Sequence, residues 1–423
     1  MRENAEDFLI RHGMLDPAFD IQACAERMCS EMEKGLRGEP SSYPMIPTYL
    51  HSGDAIPEEK YVAVIDAGGT NFRSALARFH DGKCEIDRIR KTGMPGIGEP
   101  VTWDAFISFV ADSVEDLMAY TDLIGFCFSY NAEITPKIDG RVVCIDKEVT
   151  ILGCEGQLIG ESLCRELERR GYPGKRCAVL NDTAAVQLGG LAKHLRDGFV
   201  SCFGQVSGTG TNTCCTVPGE KIEKLGPGAH DMIVNMESGM YDGLPQGLFD
   251  KELDLASHNP GSKRFEKMTA GVYLGELCHL ALRRAAEEGI LSPACCKAVM
   301  ALPHMDAALA DSWSLGRGMD ALSADPDDTL FIEKLAQLLF ERSATMMCAN
   351  LIAMAELTDT GRDGKAAVFA EGSLVQRSHY YRPKLTELLE QNLRQELDRD
   401  VTLVVEQDTT LPGAAAAALL NLR

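Results

Sequence analysis

The sequence lacks several features that would each point to a particular class of protein. Its 423 residues hold only 42 Lys and Arg against 63 Asp and Glu, a net charge of −21, which is unlike a general binder of nucleic acid or anionic membranes. No apolar run approaches the roughly 20 residues needed to cross a bilayer. The N-terminal stretch MRENAEDFLIRHGM lacks the apolar core of a signal peptide. We therefore expect a soluble cytoplasmic protein with no nucleic-acid or membrane partner.

The fifteen cysteines do not have the spacing of a metal or redox site. No CxxC pair occurs, and the adjacent pairs Cys214-Cys215 and Cys295-Cys296 lack the usual spacing of zinc ligands. Most cysteines lie in apolar stretches such as GFCFSY and FVSCFG. We expect buried, reduced thiols, as is usual in the cytoplasm.

The chain is long enough for two or three domains of ordinary globular composition. Apolar spacing predicts helix in residues 3–36, and the proline-rich segment 37–58 reads as a linker. From residue 60, three short strands precede helices and further strands, and the same order restarts near residue 198. The second cycle begins with the predicted strands FVSCFGQVSG, TNTCCTVPG and KIEKLG. Two halves of one plan indicate two lobes with a cleft between them.

The stretch VAVIDAGGTNFR places two glycines after a predicted buried strand. The common dinucleotide and P-loop motifs need a helix directly after their glycines, whereas NFRSALARF alternates like a strand. Gly68 and Gly69 can take positive φ and turn backbone N–H groups toward an anion. Asp66 can hold Mg²⁺ directly or through water, and Thr70 and Asn71 can donate to phosphate oxygens. A plain hairpin explains this stretch equally well.

A second loop of the same composition, VSGTGTN, changes that balance. It also follows a predicted buried strand and precedes a strand-like stretch. Turning the chain rarely needs two Gly/Thr-rich hairpins at corresponding positions, whereas holding a polyphosphate from two lobes needs both. The pair of loops therefore favours phosphate binding.

Polar residues at the ends of predicted elements extend the candidate site. Asn181 and Asp182 follow a buried strand, where ligands lie in open α/β sheets, although helix capping also explains such residues. Asp182 can accept a hydroxyl proton and orient the oxygen for attack on phosphorus. Glu237 and Glu266 place carboxylates among apolar residues, where they can accept sugar hydroxyl groups. For Glu266 alone, an acid in the first turn of a helix is the simpler explanation.

Several motifs occur in one order from about residue 60 to the C-terminus. They are DAGGTNFR, LNDTAA, GTGTN, NMESG, the run LDLASHNPGSKRFEKMTAGVYLGEL, and AEGSL. In this order they resemble the eukaryotic-type hexokinases, which have the two-lobed actin-like ATPase (ribonuclease-H-like) α/β fold. The resemblance implies transfer of the ATP γ-phosphoryl group to the 6-hydroxyl of a hexose, with ATP and Mg²⁺ bound. Glucose is the first expectation, and mannose, fructose or an amino sugar are alternatives.

The resemblance also implies a role for individual residues. Asp182 would be the general base, and Asp66 would hold Mg²⁺, directly or through water. The implied sugar-binding residues are Ser129, Lys147, Asn181, Asp182, Asn212, Glu237 and Glu266. The implied ATP-binding residues are Asp66, Gly68, Gly69, Thr70, Asn71, Arg73, Thr209, Gly210, Gly372 and Ser373.

Domain boundaries follow from the same resemblance. Residues 1–57 would be an N-terminal helix and linker packed on the large domain. Residues 58–196 would form the small domain, 197–412 the large domain, and 413–423 a helix that returns to the small domain. The lobes would close on the sugar, because water competes with it as the acceptor. We expect a monomer or a homodimer.

Three sites depart from the pattern of the resembled family. Tyr130 and Asn131 stand in place of Phe-Pro, Asp146 in place of threonine, and Ser238 in place of tryptophan. We expect all of them at or near the sugar and none in contact with the phosphate loops or the general base. They therefore bear on the choice of sugar rather than on phosphoryl transfer.

Other classes of protein stay open at this point. A bacterial glucokinase type shares the DxGGT loop but typically carries a Cys/His zinc cluster, which the sequence lacks. A non-catalytic sugar sensor on the same fold is a second alternative. An actin-like filament or chaperone ATPase is a third, and it would leave the sugar-binding glutamates without a purpose.

Overall fold

Two open β-sheets with helices packed on their faces form the protein. The structure is a computed structural model that describes residues 2–53, 55–145 and 149–422. The strands are β1 (Ile46–Pro47), β2 (Tyr61–Ala67), β3 (Asn71–His80), β4 (Lys83–Gly93), β5 (Val101–Thr102), β6 (Leu123–Phe128), β7 (Asn131–Ile134), β8 (Gly140–Cys144), β9 (Ile151–Leu152), β10 (Arg176–Leu180), β11 (Ser201–Ser207), β12 (Thr211–Val217), β13 (Met232–Asn235), β14 (Ala366–Glu371) and β15 (Val401–Val405).

Helices connect these strands and cover the sheets. They are α1 (Ala5–Arg11), α2 (Ile21–Arg37), α3 (Trp103–Val114), α4 (Ile159–Arg169), α5 (Asp182–Lys193), α6 (Leu248–Ala256), α7 (Arg264–Thr269), α8 (Gly271–Glu287), α9 (Pro293–Met300), α10 (Ala307–Ser314), α11 (Pro326–Thr358), α12 (Ser373–Arg377), α13 (Tyr381–Leu389) and α14 (Thr410–Asn421). Single turns of 3₁₀ helix and one π-helical turn lie among them.

The two large sheets repeat one plan. The strand order is β10-β6-β2-β3-β4 in the first sheet and β1-β13-β12-β11-β14-β15 in the second. Each sheet has an antiparallel meander, β2-β3-β4 or β11-β12-β13, and two further strands parallel to the first strand of that meander. The prediction of two halves with one plan is confirmed. Strand β1, from the predicted linker, extends the second meander.

One predicted strand of the second half is wrong. The stretch KIEKLG forms two short 3₁₀ turns, and the third strand of the meander is β13 instead. The ammonium group of Lys224 donates to the carbonyl groups of Pro44 at 2.9 Å and Met45 at 2.5 Å. Because these contacts tie the stretch to the linker, its backbone does not pair with the sheet.

Helices α5 and α14 lie between the two sheets and contact each other. Helix α5 packs on β11 of the second sheet, and α14 packs on β2 and β6 of the first. Their crossing is close, because a Cβ atom added to Gly413 would lie 2.1 Å from the carbonyl oxygen of Ala185. A side chain at residue 413 would therefore push the two helices, and with them the two sheets, apart.

The outer helices complete two hydrophobic cores. Helices α3 and α4 cover the far face of the first sheet, and α8 and α11 lie in the core of the second. At the N-terminus, α1 and α2 pack on α11. These contacts agree with the domain boundaries expected above, which stay a prediction.

The cysteines have the surroundings that the sequence indicates. All fifteen lie in the described residues, and none forms a disulfide or is exposed. Burial raises the pKa of the Cys202 thiol to about 12. Within the described ranges, no helix combines the length and apolarity needed to cross a membrane.

An ion-pair cluster joins the end of α5 to the segment after β15. The His194 ring contacts Asp197 through Nδ1 and Glu406 through Nε2, each at 2.6 Å. Burial lowers the pKa of His194, but the hydrogen bonds to the two carboxylates outweigh it, so the pKa lies above its usual value. The cluster is therefore strongest when the imidazole is protonated.

We expect Gly413→Ala to lower the free energy of unfolding by about 1–3 kcal/mol, because the added methyl group cannot fit against α5. Urea unfolding at neutral pH measures the change. Gly93→Ala is the matched control, since a Cβ atom there meets nothing within 4 Å. Equal loss of stability in the two variants would contradict the tight helix crossing.

We expect His194 to stabilise the fold more in mild acid than in mild alkali. A histidine whose folded-state pKa is raised contributes stability below its unfolded-state pKa of about 6.5 and loses it as pH rises through the folded-state pKa. The difference in free energy of unfolding between the native protein and His194→Gln should thus be larger at about pH 6 than at about pH 9. A difference that grows with pH would exclude this account.

Candidate active site

Parallel strand register brings the polar residues of the first half to one sheet edge. Asp66 in β2 lies opposite Cys127 in β6, and Cys127 lies opposite Leu180 in β10. Because the three strands run in the same direction, the residues that follow them emerge side by side. Ser129 and Asn181 therefore begin their loops at the same edge at which Asp66 lies.

The first Gly-rich loop is a hairpin whose backbone leaves donors open. The Gly68 N–H donates to the Asn71 carbonyl at 3.0 Å and closes the turn. The N–H groups of Gly69 and Thr70 donate to no acceptor among the described residues. Thr70 and Asn71 are exposed, and the Asn71 amide donates to the Thr70 hydroxyl at 3.0 Å. One expectation is wrong, because neither Gly68 nor Gly69 has a positive φ.

Asp66 and Arg73 form a largely buried ion pair beside this loop. The Arg73 guanidinium donates from Nε at 2.9 Å and from Nη2 at 2.7 Å to one carboxylate oxygen, Oδ2 of Asp66. Burial raises the pKa of Asp66, Arg73 lowers it, and the charges of Asp182 and Glu371 raise it again, so the pKa lies above its usual value. The second carboxylate oxygen, Oδ1, is the one suited to a hydrated cation.

Arg73 also joins this loop to the segment before α14. Its Nη1 donates to the Asp408 carboxylate at 2.9 Å, and its Nη2 donates to the Thr410 hydroxyl at 3.2 Å. The backbone N–H of Asp408 donates in turn to Glu371 at 3.2 Å. The guanidinium thus contacts protein acceptors in two distant segments, and the prediction that Arg73 faces ATP stays a prediction.

The second Gly-rich loop mirrors the first. The Gly208 N–H donates to the Gly210 carbonyl at 3.0 Å, and the N–H groups of Thr209 and Gly210 have no acceptor in the described part of the chain. Thr209 is exposed. Each lobe therefore presents one turn with two unpaired backbone donors.

The AEGSL stretch lies beside this second loop. Glu371, the last residue of β14, pairs with Val206 of β11, so Gly372 and Ser373 follow at the edge where the second loop begins. Gly372 has φ +128°, and a Cβ atom there would lie 2.4 Å from the Ser207 carbonyl oxygen. Only glycine fits this contact, which brings the two predicted ATP-binding segments together.

A hydrogen-bonded group of amides orients Glu237. The Asn235 amide donates to Oε1 of Glu237 at 2.6 Å, and the Asn212 amide donates to the same oxygen at 3.3 Å. Glu237 has φ +52°, in the left-handed region, and this turns its side chain out of the line of β13. Burial raises its pKa, Asn235 lowers it, and the charge of Asp182 raises it again, with a net rise. Asp182 and Glu237 therefore share one electrostatic environment.

Glu266 reaches across to the second loop. Its Oε2 accepts the N–H of Thr211 at 3.1 Å, and its charge contributes to the raised pKa of Glu237. A position in the first helical turn does not explain this contact. The structure thus brings together two carboxylates that lie 29 residues apart in the sequence.

The sequence left open whether Asn181 and Asp182 cap helix α5 or bind a ligand, and the structure shows that only Asn181 caps it. The Asn181 side-chain oxygen caps α5 by accepting the Ala184 N–H at 3.0 Å. Asp182 is the first residue of the helix and does not cap it; its Oδ1 accepts the Thr183 hydroxyl at 3.2 Å. The Asp182 carboxylate, which is half-buried, therefore stays available for another partner.

Two family models described as hexokinase match the chain, one over residues 13–191 and the other over residues 202–420. The chain belongs to the hexokinase family. Human Hexokinase-3 is 28% identical over 452 residues, which cover 100% of this chain and 47% of the human protein. Hexokinase-1 of Nicotiana tabacum is 28% identical, over an alignment that covers 96% of this chain and 88% of the tobacco protein. The chain thus spans about half of the human relative and most of the tobacco one.

Solved structures show the fold of this hexokinase family member. A hexokinase from Schistosoma mansoni complexed with glucose aligns with a TM-score of 0.77 over 98% of both chains at 22% identity. A ROK hexokinase from Thermus thermophilus aligns with a TM-score of 0.52 and 18% identity over 86% of this chain and 99% of its own. The fold is the two-lobed α/β fold of the actin-like ATPases, as expected.

One departure from the hexokinase pattern lies elsewhere than expected. Tyr130 was expected near the sugar and away from the phosphate loops, but its hydroxyl donates to the carbonyl of Gly68 at 2.8 Å. Asn131 is exposed and donates to the Cys144 thiol at 3.6 Å. Ser238 is fully buried, and its N–H donates to Asn212 at 3.3 Å. Asp146 and the predicted sugar-binding Lys147 lie outside the described residues.

Sequence reasoning missed several residues that support the site. Glu371 lies in the AEGSL motif and Asn235 begins the NMESG motif, so each was inside a recognised motif but was given no role. No local sequence pattern marks Asp408, because it lies 335 residues from Arg73 and contacts it only in the folded chain. Among the described residues, no group of three or more His, Cys, Asp or Glu side chains is arranged to hold a metal.

We expect Arg73→Met to lower the free energy of unfolding by about 2 kcal/mol or more, because it leaves the buried Asp66 carboxylate without its partner. Arg90→Met is the control, since Arg90 makes a two-pronged pair with the exposed Asp116 and should cost at most about 1 kcal/mol. Urea unfolding at pH 7 compares the two. A smaller loss for Arg73→Met than for Arg90→Met would refute the structural role of this pair.

Proposed function

We propose that the protein transfers the γ-phosphoryl group of ATP to the 6-hydroxyl of a hexose. The observation that carries this proposal is the pair of Gly-rich turns, one in each half of the chain, that each present two backbone N–H donors with no acceptor among the described residues: Gly69 and Thr70 in one and Thr209 and Gly210 in the other. Unpaired backbone donors at a turn form an anion-binding concavity. Two such turns, one from each lobe, suit a ligand with several phosphate groups rather than one with a single carboxylate.

The residues also fit the cofactors that the family implies. Magnesium supplies charge neutralisation of the phosphates when it is bound. Asp66 would hold it through water. Its Oδ2 accepts from Arg73, which leaves Oδ1 for a water molecule of the hydrated ion. Gly372 and Ser373, beside the second turn, would take the adenosine part of ATP.

Asp182 would act as the general base. Its carboxylate follows β10, and its charge raises the pKa of both Asp66 and Glu237. In the proposed complex it would lie between the phosphates and the sugar. Asp182 would accept the proton of the attacking hydroxyl and orient its oxygen toward phosphorus, so catalysis is mainly positioning and electrostatics.

The sugar would be held by acceptors and donors from both lobes. Glu237 and Glu266 would each accept hydroxyl groups, and the amide nitrogen of Asn181 would donate to one, since its oxygen caps α5. Ser129 and Asn212 would complete the contacts. Binding from both sides favours closure of the lobes around the hexose, which excludes water as a competing acceptor.

We expect Asp182→Asn to lower kcat by about 10²–10⁴-fold and to leave sugar affinity within about threefold, because the substitution removes the base but keeps the shape. Sugar-dependent ADP release measures kcat, and calorimetry measures the sugar Kd. Asp116→Asn, on the far side of the first sheet, is the control. Substantial sugar-dependent activity in Asp182→Asn would overturn the assignment.

A panel of sugars decides the acceptor. ADP release with Mg-ATP is measured with glucose, mannose, fructose and an amino sugar, and with no sugar. Tight sugar binding without ADP release would instead favour a sugar sensor. ATP hydrolysis that does not depend on sugar would favour an actin-like ATPase.

A further inference from the structure

The hydroxyl group of Tyr130 lies under the first phosphate-binding turn. The ring is 5% exposed and packs in the core of the first sheet, with its centroid 5.1 Å from that of Phe128. The hydroxyl donates to the Gly68 carbonyl at 2.8 Å, and the Gly69 carbonyl lies 3.4 Å away. The first distance is that of a normal O–H···O hydrogen bond, so the Gly68 peptide is the main partner.

This contact fixes the direction of a backbone donor. In a planar trans peptide the C=O and the following N–H point in opposite directions. Since the Gly68 carbonyl points inward to Tyr130, the Gly69 N–H points outward, away from the core. The weaker contact to the Gly69 carbonyl directs the Thr70 N–H in the same way.

Among the described residues, no other contact orients these two N–H groups. Anion-binding nests orient successive N–H groups by alternating right-handed and left-handed backbone conformations, and neither glycine here has a positive φ. The turn is also held by the Gly68 N–H, which donates to the Asn71 carbonyl, and by the Met94 N–H, which donates to the Thr70 carbonyl at 3.1 Å, but neither bond involves the Gly68 or Gly69 carbonyl. The contact with the Tyr130 hydroxyl on the core side of the turn is therefore what holds the Gly69 and Thr70 N–H groups in their outward direction.

We infer that Tyr130 is a positioning residue for phosphate binding: its hydroxyl holds the Gly68 and Gly69 peptides so that the Gly69 and Thr70 N–H groups meet the phosphates of ATP. This inference rests on the proposed function for the identity of the ligand. Tyr130 also follows Ser129, the first residue of the predicted sugar-binding loop. One side chain thus connects that loop to the phosphate-binding turn.

The test is Tyr130→Phe, which removes the hydroxyl and keeps the ring. Loss of one neutral hydrogen bond should raise the KM for Mg-ATP about 3- to 10-fold, with the KM for the sugar unchanged. By calorimetry, the Kd for ADP should rise by the same factor, while the Kd for adenosine, which has no phosphate, should not change. A role in folding alone would not separate ADP from adenosine.

Tyr43→Phe is the matched control. Tyr43 is also fully buried, and its hydroxyl donates to Asn350 at 2.8 Å in the other lobe. This variant should lose thermal stability and keep its affinity for ADP.

Three outcomes overturn the inference: an unchanged Kd for ADP in Tyr130→Phe, an equal loss of ADP and adenosine affinity, or no ADP binding by the native protein. If the native protein binds ADP but shows no sugar-dependent turnover, the proposed function fails. The inference is then still tested, because the comparison of ADP with adenosine does not require catalysis.

Discussion

The parallel pairing of β6 with both β2 and β10 determines where every other part of the site lies. The three strands are aligned residue by residue, with Asp66, Cys127 and Leu180 in one row. A shift of one residue would turn alternate side chains to the opposite face of the sheet. The same constraint acts in the second sheet, where β11 and β14 align Val206 with Glu371. The proposed sharing of one ligand by the two Gly-rich turns requires that both registers hold.

This arrangement gathers several carboxylates at the strand ends, and their pKa values reflect it. Asp66, Asp182, Glu237 and Glu371 are brought to neighbouring strand ends. Burial raises the pKa of Asp66 and Glu237, and the charges of neighbouring carboxylates raise it further. Each of these two has a partner that favours its charged form, a guanidinium for Asp66 and an amide for Glu237. The guanidinium, which is the stronger partner, lies beside the proposed cation site, and the neutral amide lies beside the proposed sugar site. A carboxylate held by a neutral amide keeps its capacity to accept hydroxyl groups.

Local patterns explain how much of this could be predicted from sequence. Glycine turns, buried strands and the N-cap at Asn181 each depend on a few adjacent residues, so the two-lobed plan and both turns were predictable. The stretch KIEKLG was assigned wrongly, because Lys224 is held by carbonyl groups about 180 residues earlier in the chain. The contacts of Arg73 with the end of the chain were likewise not predictable, and its assignment to ATP stays a prediction. Its partners Asp408 and Thr410 are distant in sequence, and no local pattern marks them.

Tyr130 shows how a departure from a family pattern is best interpreted. The sequence indicates only that a hydroxyl has been added where the pattern has a phenylalanine, in a segment that begins at the sugar. An added hydroxyl in a buried aromatic cluster needs an acceptor, because leaving it unpaired costs about 1–3 kcal/mol. The Gly68 carbonyl of the Gly-rich turn supplies that acceptor at 2.8 Å. A change in the core thereby reaches the Gly-rich turn through one planar peptide, which is why its proposed effect is on the nucleotide rather than on the sugar.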